Sequence, residues 1–542
     1  MDILKAIDER GLLGMSEREI DAMRSQAIAR ADDGTRPVAA ASSGGSAAAI
    51  YDTSAVRVGA VVLVMARVPA SQCAATAVTG PAGGGSYQKR LFAVSREPFS
   101  LGFDGPRGSA GGYHYQEIVP GPVNVGPLWE HLPWTRPVSL RDARTTIGMG
   151  DRIGMATAGQ LRAARLFDAS PVLAQQSIRE LDFTARSFTD VVADTAFMVF
   201  QEGFTRGYGA DGDHLKTIPD IDRALANRMP MITLDLTEVM RPEVADWGDA
   251  QVNGAFGSLP SDFAARVDSD YADRTVALET TTVQIDAATA RRCAVMYGDA
   301  LAFTEVVNAH LKSRTGDKYD LEISVDETTT PTLPSHHYFI SRELERRGVT
   351  VSSLAPRFIG DFQKGIDYIG DLSQFTEQFR VHAQIARATG GYKISVHSGS
   401  DKFSVYPVVG AETALRLHLK TSGTSWLESL RTIAQRDAEL YRLVHARAFD
   451  YFPQALKSYH ITADVASIAD LAAVTDDGLP AYLDDPACRQ LLHISYGGLL
   501  RDPEVRERYF TALHRHEDAH CANVSRHMSR HLELLGVPTL ER

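Results

Sequence analysis

A run of polar side chains in the second half of the chain has the residue types of a functional site. Residues 392–397 alternate β-favouring residues with small or polar ones, which is typical of a buried strand. At its end stand, without a gap, His397, Ser398, Gly399, Ser400, Asp401 and Lys402. Buried polar atoms need partners, and the loops that follow parallel strands are where (β/α)8 barrels carry their chemistry. We therefore predict that this run forms the rim of a site.

A second polar cluster combines carboxylates with an imidazole and an amine. Asp211, Asp213, His214 and Lys216 lie within six residues, close to Gly209. An adjacent aspartate and histidine at a strand end can supply a general base and a metal ligand side by side. The alternative is a solvated turn, where aspartate is favoured because its side chain bonds to the backbone.

A third group flanks the predicted strand near residue 324. Asp326 and Glu327 close this strand, and His336 and His337 begin the next helix. A carboxylate at the carboxyl end of a barrel strand is a common acid or base position, although Asp326 could simply cap a turn. One of the paired histidines is a candidate metal ligand, and the alternative places both on the surface.

Amide and cationic side chains follow other predicted strands. Gln176 and Arg179 follow one strand, and Lys364 follows another. Arginine offers a planar fork that suits a carboxylate, whereas lysine is a point charge. Ordinary ion pairs are the alternative for each cation. Lys420 begins a short Gly/Ser/Thr loop that could hold an anion at a helix N-terminus.

The C-terminal segment matches a zinc-protease pattern that we set aside. His516, Glu517 and His520 fit HExxH, in which two histidines one helical turn apart bind zinc. Asn523 and Arg526 stand where the extended form of the motif needs glycine and histidine. The charged, histidine-rich flanks instead predict an exposed terminal helix.

The elements that must position these residues alternate between strands and helices after residue 137, as in a parallel sheet. Strands are predicted near residues 150, 173, 210, 234, 324, 357, 395 and 461, with a ninth candidate near 493. Helical periodicity marks residues 188–200, 336–347, 375–389 and 425–447. The long segment 240–318 is expected to carry helices of its own. Eight such units favour an α/β fold of the (β/α)8 TIM-like barrel type over an open sheet.

The N-terminal part has a different texture. Residues 1–30 are predicted to form a charged amphipathic helix, and the Gly, Ser, Ala and Pro of residues 31–49 predict a linker. Between residues 51 and 134, β-like runs are broken by glycine and proline. We therefore divide the chain into an N-terminal helix, linker and β-rich subdomain at residues 1–140, and a barrel-type catalytic domain at residues 141–542.

Composition bounds the class of protein. With 542 residues, 44% hydrophobic and 23% charged, the chain is globular. A net charge of -12 argues against nucleic-acid and anionic-membrane partners. The four cysteines lack metal or disulfide spacing, no signal peptide is recognised, and the longest apolar run is half a membrane span. These features indicate a cytoplasmic enzyme, whose oligomeric state stays open, a homo-oligomer included.

Several of these motifs together resemble one family. GMGDRIGMA, PVLAQQSIRE, GADGDHLK, SVDETTTP, APRFIGDFQKGIDY, YKISVHSGSDKFSVYP and KTSGTSWLE, read in this order, are similar to the tagaturonate/fructuronate epimerase family of hexuronate catabolism. The resemblance runs from about residue 148 to the histidine-rich tail, and HSGSDKFS is its most specific part. It implies a metal-dependent barrel enzyme that interconverts D-tagaturonate and D-fructuronate, two ketouronates that differ at C4.

The resemblance gives the candidate residues roles. His214, His397 and His337 would hold a divalent cation such as zinc, manganese, nickel or iron. Asp213 and Glu327 would move protons while C3–C4 cleavage and re-addition invert C4. The remaining candidates would bind the substrate carboxylate and hydroxyls: Gln176, Arg179, Lys216, Lys364, Ser398, Ser400, Asp401 and Lys402. Two alternatives stay open, namely a metal-dependent aldolase or isomerase of a related keto-sugar acid, and a catalytically silent sugar-acid binder.

Overall fold

The N-terminal helices differ from the single predicted helix. The computed structural model describes residues 2–32, 40–41, 48–328, 330–421 and 423–540. Helices α1 (Asp2–Glu9) and α2 (Glu17–Asp32) are separate, because Gly11 takes a left-handed backbone with φ of +66° that ends the first helix. Most of the predicted linker at residues 31–49 lies outside the described residues.

An antiparallel sheet follows these helices and confirms the β-rich prediction. Its strands are β1 (Ala40–Ala41), β2 (Ala49–Ile50), β3 (Val56–Val58), β4 (Val61–Pro69), β5 (Gly83–Gly84), β6 (Tyr87–Ser95), β7 (Arg107–Ala110) and β8 (Tyr113–Ile118). Successive side chains of a strand point to opposite faces. Val62 and Val64 of β4 therefore pack against α1 and α2, while Leu63 and Met65 join the core of the rest of the chain.

The main body is the predicted TIM-like barrel. Its chain segment contains strands β9 (Thr145–Met149), β10 (Ser170–Ser177), β11 (Gly209–Leu215), β12 (Met231–Asp235), the outlying hairpin β13 (Arg274–Ala277) and β14 (Thr282–Ile285), then β15 (Asp320–Ser324), β16 (Ser353–Ala355), β17 (Lys393–Val396) and β18 (Leu417–Thr421). Within the described residues, all of these except the hairpin close into a parallel barrel, with β18 paired to β9. The active side of such a barrel is at the carboxyl ends of its strands.

Two predicted strands are wrong, and one strand was not predicted. The eighth barrel strand is β18, whose sequence LHLKT places polar His418 and Lys420 at buried positions. The segment near residue 461 has no regular secondary structure. The segment near residue 493 is helical, because Leu491, Leu492 and neighbouring apolar residues pack against other helices rather than in a sheet.

Helices surround the barrel and cover its carboxyl-terminal side. They are α3 (Pro122–His131), α4 (Thr157–Leu166), α5 (Ile178–Thr184), α6 (Phe188–Glu202), α7 (Ile218–Ala226), α8 (Asp249–Phe256), α9 (Ser261–Asp270), α10 (Ala287–Thr315), α11 (Pro334–Arg346), α12 (Leu372–Ala388), α13 (Tyr406–Glu412), α14 (Thr424–Arg436), α15 (Ala438–Ala455), α16 (Pro486–Ile494), α17 (Tyr496–Arg501), α18 (Pro503–Arg515) and α19 (Glu517–Leu534). The prediction that residues 240–318 carry their own helices is confirmed by α8, α9 and α10. Of the described helices, none combines the length and apolarity that a membrane crossing requires.

The terminal helix α19 is packed rather than exposed, which corrects the prediction for it. It lies against α4 and α14, and His520 and His531 are fully buried. Glu517, the central residue of the HExxH match, accepts a hydrogen bond from the Tyr51 hydroxyl at 2.7 Å and pairs with the Lys89 ammonium at 2.6 Å. This glutamate therefore ties the N-terminal sheet to the end of the chain.

Candidate active site

A polar cavity of about 280 Å³ opens at the carboxyl ends of the barrel strands. It is lined by Arg152, Ser177, Arg179, Glu180, Asp213, His214, Asp326, Glu327, Pro356, Arg357, Phe358, Gly360, Asp361, Phe362, Gln363, Lys364, His397, Ser398, Lys420, Ser458, Tyr459 and His460. The lining draws on loops after several different strands, as the carboxyl-terminal face of a barrel does. A pocket of this size and polarity suits a small, charged metabolite better than an apolar ligand.

His214 is aimed into the cavity by an irregularity in β11. The register between β11 and β12 shifts between Gly212 and Leu215, and His214 adopts a left-handed backbone with φ of +54°. Bulges and strained backbones of this kind re-aim side chains at functional sites. Its Nδ1 lies 2.6 Å from Oδ1 of Asp213, which leaves Nε2 facing the cavity.

His397 is held in a similar way at the end of β17. Its Nε2 lies 2.6 Å from Oε1 of Glu322, and its Nδ1 lies 2.9 Å from Oδ1 of Asp326. The rings of His397 and His214 are 5.0 Å apart between centroids. The two imidazoles therefore lie close together, each oriented by a carboxylate from the barrel wall.

Beneath the two histidines, the Lys420 ammonium joins three buried carboxylates. It lies 2.6 Å from Asp213, 3.0 Å from Asp211 and 3.1 Å from Glu322. It also donates to the Thr233 hydroxyl at 2.6 Å. All three carboxylates and the lysine are nearly inaccessible to solvent, so each charge depends on the others for its stabilisation.

This network shifts the pKa values of its members in opposite directions. Burial raises the pKa of Asp211 to about 6, against the opposing effect of Lys420. For Asp213 burial is outweighed by Lys420 and His214, which hold its pKa well below the usual range. The pKa of His214 rises to about 10 because Asp213 overcomes the effect of burial. The low pKa of Asp213 follows from its contacts of 2.6 Å with both the His214 ring and the Lys420 ammonium.

The atoms that face the cavity form a donor set for a metal. Among the described residues, ring nitrogens of His214 and His397 and a carboxylate oxygen of Asp326 lie within 4.8 Å of one another. Two imidazoles and one carboxylate are a common set for catalytic divalent transition metals. The second ring nitrogen of each histidine contacts a carboxylate, Asp213 or Glu322, which is how metal-ligating histidines are usually oriented. The residues therefore fit a divalent cation.

The cavity wall next to this donor set carries a carboxylate, Glu327, and two cations, Arg179 and Lys364. Glu327 lies 4.0 Å from His214 Nε2 and 3.9 Å from the Arg179 guanidinium, and its side chain is 41% exposed. Lys364 donates to the Ser398 hydroxyl at 2.9 Å, and no ion pair of Lys364 is found among the described residues. Burial and the nearby Arg179 lower the pKa of Lys364. The cavity thus holds an accessible carboxylate and an ammonium without an ion-pair partner.

The structure corrects the prediction for His337. This side chain is fully buried on α11. Its Nδ1 lies 2.9 Å from Nδ1 of His382 and its Nε2 lies 2.7 Å from the Tyr392 hydroxyl. Both nitrogens are therefore occupied inside the protein, and His337 does not line the cavity. Its neighbour His336 is also buried and bonds to Tyr297 at 3.0 Å. The third candidate donor beside His214 and His397 is therefore Asp326.

Three residues of the run after β17 are also absent from the described lining of the cavity. Asp401 pairs with Arg489 at 2.6 Å and with His527 at 3.0 Å. The buried Lys402 ammonium donates to the carbonyl oxygens of Gln363 and Ser400 among others, and burial lowers its pKa to about 7. Ser400, Asp401 and Lys402 thus support the loop from behind, while Ser398 lies in the cavity wall.

Two further candidates have other partners. Gln176 is buried and donates to the carbonyl oxygen of Asp151 at 3.0 Å. Lys216 pairs with Glu238 at 3.1 Å and lies 3.7 Å from Asp235. Neither residue is in the described lining of the cavity, so the substrate contacts of both stay predictions that the geometry does not support. Arg179, Lys364 and Ser398 are the predicted binding residues that the structure does bring together.

Sequence reasoning missed the role of Glu322 and the position of Lys420. Glu322 lies on β15, four residues before Asp326. Lys420 lies near the end of β18, the strand that was not predicted. Charged residues at alternate positions in otherwise apolar strands were the available signal. Arg152, Glu180 and Tyr459 were not singled out, because they reach the cavity from loops and helices.

Comparisons with known proteins identify the family to which this chain is similar. The sequence profile of a family described as UxaE, tagaturonate epimerase, matches residues 115–535. A tagaturonate/fructuronate epimerase from Thermotoga maritima is 39% identical over 412 residues, which are 76% of this chain and 85% of that protein.

Solved structures give the same result over more of the chain. A glycerol-complexed crystal structure of the fructuronate-tagaturonate epimerase UxaE from Cohnella laeviribosi superposes with a TM-score of 0.83 at 38% identity, covering 90% of this chain and 96% of that chain. The native form of that protein gives the same TM-score and identity, with 91% and 97% covered.

We expect Asp326→Asn and His397→Gln to lose bound divalent metal, because each removes a donor atom or its charge. His337→Gln is the matched control and should retain metal, since His337 lies outside the donor set. Elemental analysis of the folded variants after dialysis measures this. Metal retained by both Asp326→Asn and His397→Gln, or lost only from His337→Gln, would contradict the assignment.

Proposed function

Since this chain belongs to the tagaturonate epimerase family, we propose that it interconverts D-tagaturonate and D-fructuronate by breaking and re-forming the C3–C4 bond with a divalent cation bound at His214, Asp326 and His397. The epimerase activity follows from the family. The cation and the route are the proposal. They are supported by the donor set and by the charges around it.

The chemistry of the substrate favours this route over proton abstraction at C4. The C4 proton is not adjacent to the C2 ketone and is therefore not acidic. The C4 hydroxyl, however, is β to the ketone, as an aldol requires. Loss of its proton and cleavage of C3–C4 give an enediolate of dihydroxyacetone and the aldehyde 2-hydroxy-3-oxopropanoate. Rotation of the aldehyde and re-addition of C3 to its other face invert C4, with no oxidant or reductant.

A divalent cation such as zinc, manganese, nickel or iron would supply a Lewis acid for the charge on the oxygens of the ketone fragment. A protein group would also stabilise this negative charge. The Lys420 ammonium reaches the floor of the cavity and is held there by Asp211, Asp213 and Glu322. A fixed cation of this kind needs no reorganisation when negative charge develops nearby.

Glu327 is the group best placed to move the proton of the C4 hydroxyl. It is half exposed at the cavity, 4.0 Å from His214 Nε2 and next to Arg179. Asp213, predicted as its partner, is engaged by His214 and Lys420 at 2.6 Å each. We therefore give the proton transfer to Glu327 and a positioning role to Asp213.

Lys364 carries the recognition of a sugar acid rather than a neutral sugar. Its ammonium has the Ser398 hydroxyl as a partner at 2.9 Å, and no described carboxylate pairs with it. A partly desolvated ammonium without a counter-ion favours binding of an anion. The proximity of Lys364 and Arg179 to the two-histidine donor set is the observation on which the proposal rests.

Glu327→Gln should retain metal and lose at least about 100-fold in kcat, because general acid–base catalysis typically contributes about 10²- to 10⁴-fold. The epimer formed from D-tagaturonate can be followed by NMR. Glu238→Gln, which removes a surface carboxylate beyond Lys216, is the control and should keep full activity. Full activity of Glu327→Gln would remove Glu327 from the mechanism.

Lys364→Met should lower kcat/KM for D-tagaturonate by about 10- to 100-fold, because a charged hydrogen bond contributes about 1.5–3 kcal/mol. Binding of the neutral analogue D-tagatose should change little. Lys216→Met is the matched control, since Lys216 already has carboxylate partners. Equal losses for the acid and the neutral sugar would show that Lys364 does not recognise the carboxylate.

A further inference from the structure

A short irregular segment outside the barrel strands forms part of the cavity lining. Residues 458–462, which we call the strap, follow α15 and have no regular secondary structure. Ser458, Tyr459 and His460 of the strap line the cavity together with Lys364 and Arg179. The strap thus contacts the region assigned above to the substrate carboxylate.

Tyr459 anchors the first part of the strap. This residue is only 8% exposed, and its ring centroid lies 5.2 Å from the Arg179 guanidinium carbon. Its hydroxyl is 3.1 Å from the hydroxyl of Tyr496, and the Arg152 guanidinium lies 3.8 Å above the Tyr496 ring. The aromatic side chain therefore stands between the cavity and the C-terminal helices, in contact with a cation of the cavity wall.

Gln363 anchors the other end. Its side-chain oxygen accepts from both the backbone N–H and the hydroxyl of Thr462, each at 3.0 Å, and from Nε2 of Gln490 on α16 at 3.2 Å. Gln363 is 4% exposed and also lines the cavity. Because Lys364 is the next residue, the oxygen that fastens the strap belongs to the loop that carries the proposed carboxylate-binding ammonium.

The strap lies where a cleavage route needs to retain its aldehyde fragment. Once C3–C4 is broken, the aldehyde fragment has no covalent link to its partner and must be held while it turns. We propose that Gln363 is a positioning residue that fastens the strap, so that Tyr459 retains the 2-hydroxy-3-oxopropanoate fragment beside Lys364 and Arg179 until it re-adds. This inference rests on the carbon–carbon cleavage proposed above.

A latent aldolase activity follows from this role. If the strap is loosened, the aldehyde leaves before re-addition, and C3 of the enediolate takes a proton to give dihydroxyacetone. The electron pair of the C3–C4 bond stays on C3, and the proton lost from the C4 hydroxyl balances the one gained. The net reaction is then cleavage of the six-carbon acid into two three-carbon products.

The test measures how each turnover divides between the epimer and three-carbon products. Gln363→Met removes the oxygen that accepts from Thr462, and Tyr459→Phe removes the hydroxyl contact with Tyr496. Tyr482→Phe is the control, because it also removes a buried hydroxyl bond of the C-terminal layer, to Ala469, without lining the cavity. Each metal-loaded enzyme is incubated with D-tagaturonate in D2O, and the products are quantified by NMR.

We expect the ratio of three-carbon products to D-fructuronate to rise about tenfold in Gln363→Met, as expected for lost hydrogen bonds. A smaller rise is expected in Tyr459→Phe, and none in Tyr482→Phe. This ratio does not depend on the fraction of enzyme that is folded. An unchanged ratio in both strap variants, or an equal rise in the control, would overturn the role of the strap. Deuterium at C4 of the product of the unaltered enzyme would instead contradict carbon–carbon cleavage itself.

Discussion

The Lys420 ammonium inside the barrel is the constraint on which the site depends. It neutralises part of the charge of Asp211, Asp213 and Glu322, and without it these carboxylates would lie buried together at a cost of several kcal/mol each. Two of them in turn hold one nitrogen each of His214 and His397. The orientations of both imidazoles therefore depend on carboxylates that one lysine on β18 holds in place.

The balance of charge around this lysine also explains why the cavity suits a cation. Asp211, Asp213, Glu322 and Asp326 outnumber the single ammonium, and the remaining negative charge raises the pKa of His214 to about 10 and also that of His397. A divalent cation would supply positive charge at the same place and would use the nitrogens that face the cavity. Carboxylates thus predominate at the floor of the cavity, while Arg179 and Lys364 bring positive charge to its wall.

Much of this arrangement could be predicted from the chain, because period-two alternation marks barrel strands and polar residues mark their ends. The pairs Asp213–His214 and His397–Ser398 were found in this way. The strand β18 was missed because its inward side chains, His418 and Lys420, are polar, and Glu322, which neutralises Lys420, lies about 100 residues away in sequence. His337 was misplaced because sequence does not reveal that a helix start is buried against Tyr392. Long-range partnership decides which histidine is a ligand, and a local pattern does not contain it.

The loops after β11 and β17 carry strained residues that face the cavity, and the second loop is supported by contacts on its other side. His214 and Ser398 face the cavity with left-handed backbones at φ of +54° and +49°, a conformation that costs non-glycine residues of order 1–3 kcal/mol. In the loop after β17, the Lys402 ammonium donates to backbone carbonyl oxygens. The Asp401 carboxylate pairs with Arg489 and His527 of the covering helices. The helices that cover the barrel therefore stabilise the loop that carries Ser398 in the cavity wall.

The most direct test of this account is the affinity of Lys420→Met for a divalent cation, measured by calorimetric titration with Mn²⁺ or Zn²⁺. Lys393→Met is the matched control, because Lys393 is a buried barrel lysine at the start of β17, away from His397. Its ammonium donates to the carbonyl oxygens of Leu140 and Ala143. We expect a loss of about 10- to 100-fold in affinity for Lys420→Met and little change for Lys393→Met, because groups that orient metal ligands contribute about this much. In Lys420→Met the loss of oriented ligands has to outweigh the added net negative charge, which by itself favours a cation. An unchanged affinity in Lys420→Met, or an equal loss in both variants, would contradict this account.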